Sequence, residues 1–252
     1  MNSTDADILT NFYVSASRPD NMFEEKYLYT RRKENRVYRD EEVMSLPDIW
    51  KSHPHYKEWM IRKKSSQRLL EYFKAKNCKL DVLEIGCGNG WLSYHMARIP
   101  NCEVIGSDIN LTELQQAVRV FARKSRLKFI YGDIRSGMLN DLEFDAIVFA
   151  ASIQYFPSLM EIMNVSLSRL KPGGEIHILD SPLYSASKID AARERSKAYY
   201  NSMGMPEMTR FYFHHPVSAL ASFHHKILSN PGSIRNRIFG KNPFPWIIVK
   251  NQ

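Results

Sequence analysis

The sequence predicts an α/β fold, on three observations. An apolar run, Val82-Leu83-Glu84-Ile85, opens directly into Gly86-Cys87-Gly88-Asn89-Gly90, and Trp91-Leu92-Ser93-Tyr94-His95-Met96 follows as a helix start. Short apolar runs recur downstream with helix-like stretches between them, an alternation that builds a sheet flanked by helices. The chain has 252 residues, 44% of them hydrophobic and 25% charged. That is ordinary for a globular protein and enough for one α/β domain with additions.

Taken in order, residues 1–55 form a first segment, aromatic and charged without a clear period (Tyr27, Tyr29, Arg31-Arg32-Lys33, Tyr38). A partly disordered tail and a packed segment are both open, with Phe12, Tyr13 and Phe23 favouring packing. Pro54 marks the boundary, because proline disfavours helix in the residue before it. From Tyr56 to Lys76, the spacing of Trp59, Ile61, Leu69, Leu70, Tyr72 and Phe73 predicts an amphipathic helix leading into the first strand. In the glycine turn that follows, glycines at alternate positions allow positive φ and let a nucleoside ligand approach bare backbone. A dinucleotide turn would read G-x-G-x-x-G, whereas here Trp91 follows Gly90.

Cys102–Asp108 reads as a second strand ending in an acid, about 20 residues past the glycines, where a carboxylate accepts from ribose hydroxyls. The plainer alternative is that Asp108 or Asn110 caps the helix from Leu111. A third strand, Leu127–Tyr131, runs into Gly132-Asp133-Ile134, which by itself is an ordinary turn. The fourth, Phe144–Ala150, leads to Ser152-Ile153-Gln154-Tyr155 and a helix from about Ser158 to Leu170. Leu170-Lys171-Pro172-Gly173-Gly174 then predicts a helix end and a turn before a fifth strand, Glu175–Leu179.

Beyond it, Ser185–Tyr200 is a helix, broken at Asn201–Pro206. Met208–Phe213 alternates weakly and predicts a short strand or extended loop. Pro245 opens a final strand over 244–250.

The spacing E-x-G-x-G-x-G over Glu84–Gly90 resembles motif I of the class I S-adenosylmethionine-dependent methyltransferases. The loop after Ala150 and the Leu170–Gly174 turn are similar to the broad methyltransferase type 11 group. The resemblance covers roughly residues 80–182. It implies a Rossmann-like, seven-stranded, mostly parallel sheet flanked by helices, with an N-terminal lid and C-terminal additions on the substrate side. The methyltransferase domain would span 56–252: a cofactor core over 80–182, a substrate-side region over 183–243 and the final strand over 244–250. The implied cofactor is S-adenosylmethionine. Its implied contacts are Glu84, Gly86, Gly88 and Gly90 in the turn, Asp108 and Ile109 after the second strand, and Ala150 at the end of the fourth. In that family an acid at Asp133 accepts from the adenine amino group, and the next N–H, here that of Ile134, meets a ring nitrogen.

Methyl transfer from a sulfonium is an in-line displacement that needs alignment and exclusion of water, and a base only when the nucleophile arrives protonated. Tyr155, His214 and His215 are the catalytic candidates, with His177 and Tyr184 behind them; packing roles compete for each. The echo Phe213-His214-His215 and Phe223-His224-His225 does not make a metal site. Adjacent strand residues face opposite ways, and no acid or cysteine lies near in sequence to complete a shell.

The net charge is +8, and past Pro182 ten Lys or Arg stand against Asp190, Glu194 and Glu207. Such a field suits an anionic partner or simply a solvated basic face. The expected acceptor is a small, anionic metabolite, methylated on oxygen or nitrogen. An RNA methyltransferase using the basic third is the second reading, although the family's Asp/Asn-Pro-Pro-aromatic motif for nucleic-acid amines is missing. A non-catalytic S-adenosylmethionine-binding protein is the third. No apolar run reaches a membrane span, the N-terminus lacks a signal-peptide pattern, and Cys78, Cys87 and Cys102 lack metal spacing; a cytoplasmic location is expected.

Overall fold

The computed structural model describes residues 12–14, 21–121, 125–137, 139–234, 236 and 242–251. The N-terminal residues read for a signal peptide lie outside them. The chain forms two compact units, residues 1–19 with 38–148, and residues 20–37 with 149–252.

The first unit holds a run of parallel strands. β1 (Phe12–Val14), β2 (Leu80–Ile85), β3 (Cys102–Asp108), β4 (Leu127–Tyr131) and β5 (Phe144–Ala150) lie in the order β1-β4-β3-β2-β5. Register is fixed by pairs such as Leu83 with Ile105 and Leu83 with Ile147. These strands read as near-continuous apolar runs because parallel strands are covered on both faces. Leu83, Ile147 and Val148 are fully buried.

Helix α1 (Asn21–Lys33) belongs to the second unit, and α2 (Asp40–Ser45), α3 (Tyr56–Lys76), α4 (Trp91–Ala97) and α5 (Leu111–Phe121) to the first. The predicted helix over 56–76 is α3; Asn77, left-handed at φ 48, ends it by returning its N–H to the Lys74 carbonyl. In α5, Leu114, Ala117, Val118 and Phe121 fall on one buried face at helical spacing. The Asp40 carboxylate ties α2 to α5, accepting from Arg119 Nε at 2.6 Å, Arg119 Nη2 at 2.8 Å and Gln116 Nε2 at 3.0 Å.

The second unit holds α6 (Leu159–Leu167), β6 (Leu170–Leu179), β7 (Leu183–Tyr184), α7 (Ala186–Ser202), β8 (His215–Pro216), β9 (His224–Ser229) and β10 (Trp246–Lys250). β10 runs antiparallel to both β6 and β9, and β7 and β8 form a small separate pair. Ser158 caps α6, its Oγ accepting from the Glu161 N–H at 3.1 Å. Lys33 Nζ donates to the Met203 carbonyl at 2.6 Å and the Tyr199 hydroxyl to Glu34 at 2.5 Å, holding α1 against the end of α7.

Three expectations are corrected. The main sheet has eight strands rather than seven; the addition is the three-residue β1, parallel to β4 at its edge. Leu170–Gly174 lies in β6 and does not end a helix. α6 has already stopped at Leu167, and Gly173 (φ +78) bends the strand. Met208–Arg210, the first half of the stretch Met208–Phe213 expected as a short strand or extended loop, lies in a 3-10 turn over Pro206–Arg210. Proline at its start presets φ, and Met208 is buried against Tyr200 and Met205.

Candidate active site

In the first unit β2 ends in the glycine turn, with Gly86, Gly88 and Gly90 at φ +73, +54 and +73. The turn is bound to the end of β3. Gly86 N–H and Cys87 N–H donate to the Ser107 carbonyl at 2.8 and 3.1 Å, and Gly88 N–H donates to Asp108 Oδ2 at 2.6 Å. Asp108 Oδ1 accepts from Asn110 N–H at 2.8 Å, while Asn110 Oδ1 accepts from Glu113 N–H at 3.0 Å. Asn110 is therefore the cap of α5, and Asp108 braces the turn. Half-buried Ile109 sits between them.

Glu84 is buried and accepts from Ser93 Oγ; burial pushes its carboxyl up to about 8, so it holds its proton at neutral pH. Burial also raises the Cys87 thiol well above its ordinary value, which removes it as a nucleophile. Gly106, which the sequence reading passed over, makes this packing possible. A Cβ there would lie 2.8 Å from Ser93 Oγ and 2.9 Å from Cys87 Sγ. The available signal was a glycine inside an apolar strand, which marks close approach.

Two features fit a nucleoside ligand at the turn. A Cβ on Gly88 would meet only Glu113, at 3.2 Å from Oε2, and the buried Asn110 Nδ2 donor has no partner among the described residues. Asp133 caps a short 3-10 turn opened by buried Ile134, and both its oxygens are engaged by Arg135, with Nη2 to Oδ2 at 2.5 Å. An adenine amine would have to share that carboxylate with the guanidinium.

In the second unit Ala151, just after Ala150, and Asp180 are left-handed at φ +57 and +51, with Ala151 N–H donating to the Leu179 carbonyl at 2.9 Å. Non-glycine residues in this region cost about 1–2 kcal/mol each, a strain that concentrates at functional strand ends. Tyr155 follows in a 3-10 turn. Its ring meets Tyr27 edge-on at 5.6 Å, Tyr212 at 5.8 Å and Phe23 at 5.8 Å. These aromatics come from three distant parts of the sequence, so no local pattern could reveal them as a set.

His214 lies between Tyr184 and Tyr212, at 5.4 and 5.2 Å, with Nε2 2.9 Å from Ser196 Oγ. Burial, then Arg193 and His215, lower its pKa and favour the neutral ring. His215 is buried, and its Nε2 is 3.2 Å from the Ile153 carbonyl, the geometry of a strut. His177 is fully buried, its Nδ1 accepting from Trp246 Nε1 at 3.2 Å, and so occupies a core position. Burial holds the Tyr184 and Tyr212 phenols above their ordinary range, so both stay protonated at neutral pH. Among the described residues no group of three His, Cys, Asp or Glu could hold a metal ion.

Residues 82–174 match the methyltransferase domain family. Sterol 24-C-methyltransferase of Debaryomyces hansenii is 24% identical over 147 residues, covering 55% of this chain and 39% of that protein. Malonyl-[acyl-carrier protein] O-methyltransferase of Priestia megaterium is 25% identical over 119 residues, covering 46% and 43%. The chain thus spans less than half the length of these relatives. The crystal structure of magnesium protoporphyrin IX methyltransferase from Synechocystis PCC 6803 with bound SAH superposes with a TM-score of 0.57 at 14% identity, covering 92% of this chain and 99% of that one. The domain match therefore covers the glycine turn braced by Asp108 and the strands on either side of it, and the mostly parallel sheet has the fold of a methyltransferase solved with SAH.

Proposed function

We propose that this chain transfers a methyl group from S-adenosylmethionine to an oxygen or nitrogen of a small, anionic acceptor, in the cytoplasm. The observation that carries the reading is the glycine turn, with three positive-φ glycines and an N–H held by Asp108. Gly86, Gly88 and Gly90 leave the backbone bare for the cofactor, and Glu84 stands beneath the turn. Asp108 and Ile109 take the ribose, Asp133 and Ile134 the adenine, and Ala150 borders the methyl group. Residues 1–55 serve as the cap of the domain over 56–252.

When bound, the cofactor supplies a methyl group on a sulfonium, a good leaving group; the chain supplies orientation and exclusion of water. An acceptor that attacks through an anionic oxygen needs no base, and His214 contacts it beside Ser196 Oγ, 2.9 Å from its Nε2. Tyr155 orients the acceptor, and His215 fixes the loop after Ala150 by its bond to Ile153. The basic residues past Pro182 favour an anion, and a small molecule is preferred over RNA because the amine-gripping motif is missing. None of the described helices is long and apolar enough to cross a membrane.

Calorimetric titration of S-adenosylmethionine and S-adenosylhomocysteine into wild type and Asp108→Ala tests the reading. Binding by the wild type with at least a tenfold loss in the variant is expected, about the value of a charge-assisted hydrogen-bond pair. A wild type that binds neither would overturn it.

A further inference from the structure

The second unit contains a cavity of about 370 Å³ between α7 and the segment that runs from Thr209 to His215. We propose that this cavity is an anion subsite, in which Lys197, Arg193, the Ser196–His214 pair and the Tyr212 hydroxyl hold a phosphate or carboxylate group of the acceptor. The assignment to an acceptor rests on the methyltransferase reading; the subsite itself does not.

Arg193 and Lys197 are four residues apart and so project from the same side of α7 into one rim. Arg193 spends one N–H on Asp190, at 2.9 Å, which leaves the rest of its fork for a ligand. Lys197 has no ion-pair partner among the described residues, an ammonium without a counter-charge at the mouth of a cavity. Glu194 is the one carboxylate among the lining residues, set against two cations. The effect of the charges is visible on His214. After burial, its protonation is opposed by Arg193 and His215, favoured by the Ala192 carbonyl and opposed again by Arg195, so the charged neighbours act as a positive potential.

The wall also offers neutral donors. Ser196 Oγ and His214 Nε2 are 2.9 Å apart and the ring is also hydrogen-bonded to the Ala192 carbonyl; once the ring is protonated both its nitrogens donate, which frees the Ser196 hydroxyl hydrogen to turn outward. The Tyr212 phenol stays protonated at neutral pH, because burial raises its pKa. Rim cations over an inner ring of hydroxyl and imidazole donors match an oxyanion and mismatch a metal ion or an ammonium.

The Tyr212 ring lines the cavity and meets Tyr155 at 5.8 Å, so an anion held by Lys197 lies one aromatic ring from Tyr155. The charged group that these donors fit is a carboxylate or a phosphate monoester.

The test is titration of the His214 ring resonance by NMR with inorganic phosphate and, separately, acetate, in wild type, Lys197→Ala and Lys226→Ala. S-adenosylhomocysteine binding is measured apart from this. Expected is a saturable upward shift of the His214 pKa with one or both anions, and about a tenfold weakening in Lys197→Ala that Lys226→Ala does not share. Response to phosphate alone supports a phosphate monoester, and to acetate alone a carboxylic acid. No shift with either anion, or equal weakening in both variants, overturns the subsite. If the anion binds as expected while S-adenosylhomocysteine does not, the subsite stands and the methyltransferase reading falls.

Discussion

Gly88 and Gly90 share a turn and a positive φ, yet substitution should separate them. At Gly90 an added Cβ would lie 2.6 Å from Phe129 Cζ and 2.9 Å from the Ala117 Cβ. Phe129 and Ala117 are both essentially fully buried, so neither can step aside. Overpacking of this kind costs about 1–3 kcal/mol, and a left-handed alanine about 1–2 kcal/mol more. Gly90→Ala should therefore lose about 2–5 kcal/mol of stability. At about 2–4 °C per kcal/mol for a chain of this size, its melting temperature falls by roughly 4–20 °C.

At Gly88 the added Cβ meets only the Glu113 carboxylate, at 3.2 Å, the far end of a flexible side chain. Gly88→Ala should lose only the backbone part, about 1–2 kcal/mol, but should bind S-adenosylhomocysteine at least tenfold more weakly because the methyl occupies ligand space. Circular dichroism melts and calorimetry below both transitions measure the two effects. A Gly90→Ala protein melting within about 1 °C of wild type, or a Gly88→Ala protein less stable than Gly90→Ala, would refute the reasoning.

Two further outcomes follow from the titrating groups. Glu84 has its folded-state pKa raised from 4.5 to about 8, so between those values the folded state holds a proton that the unfolded state releases, and stability falls as pH rises. Glu84→Gln removes that slope; urea midpoints at pH 5.5 and 8.5 should show the variant gaining on wild type at the higher pH, on the order of a few kcal/mol, and a constant gap would count against a protonated Glu84. Asp40 runs the other way. Hydrogen bonds from Arg119, then Gln116, lower it from 3.8 to about 2, so its contribution is present above pH 3.8 and disappears as pH falls toward 2. Because the pair is well exposed, Asp40→Asn should lose no more than about 1 kcal/mol at pH 7, and less in 1 M salt; a larger, salt-independent loss would contradict an exposed ion pair.

What the sequence made legible was local. The apolar period of Tyr56–Lys76 and the runs around Leu83, Val104 and Ile147 specify their own helix and strands, because their burial pattern is written in adjacent residues. The glycine turn was legible for the same reason. Two competitions were not. Pro172 and Gly173 carry helix-stop chemistry, yet they bend a strand; Pro206 preset a 3-10 turn against the β propensity of Phe211-Tyr212-Phe213. At the candidate site, Asp133 looked available until Arg135, two residues on, proved to clasp it, a contact that depends on the turn's geometry. The gathering of Phe23, Tyr27, Tyr155 and Tyr212 is a tertiary event among residues up to nearly two hundred positions apart, with no trace in any one window.

The division of the chain has an evolutionary corollary. Residues 20–37 join the second unit while their neighbours on both sides belong to the first, so the polypeptide changes unit three times. No single crossover in the gene exchanges one unit for a foreign one. A fragment beginning at Phe149 would leave behind Phe23 and Tyr27, stripping two rings from Tyr155 and one from Phe211.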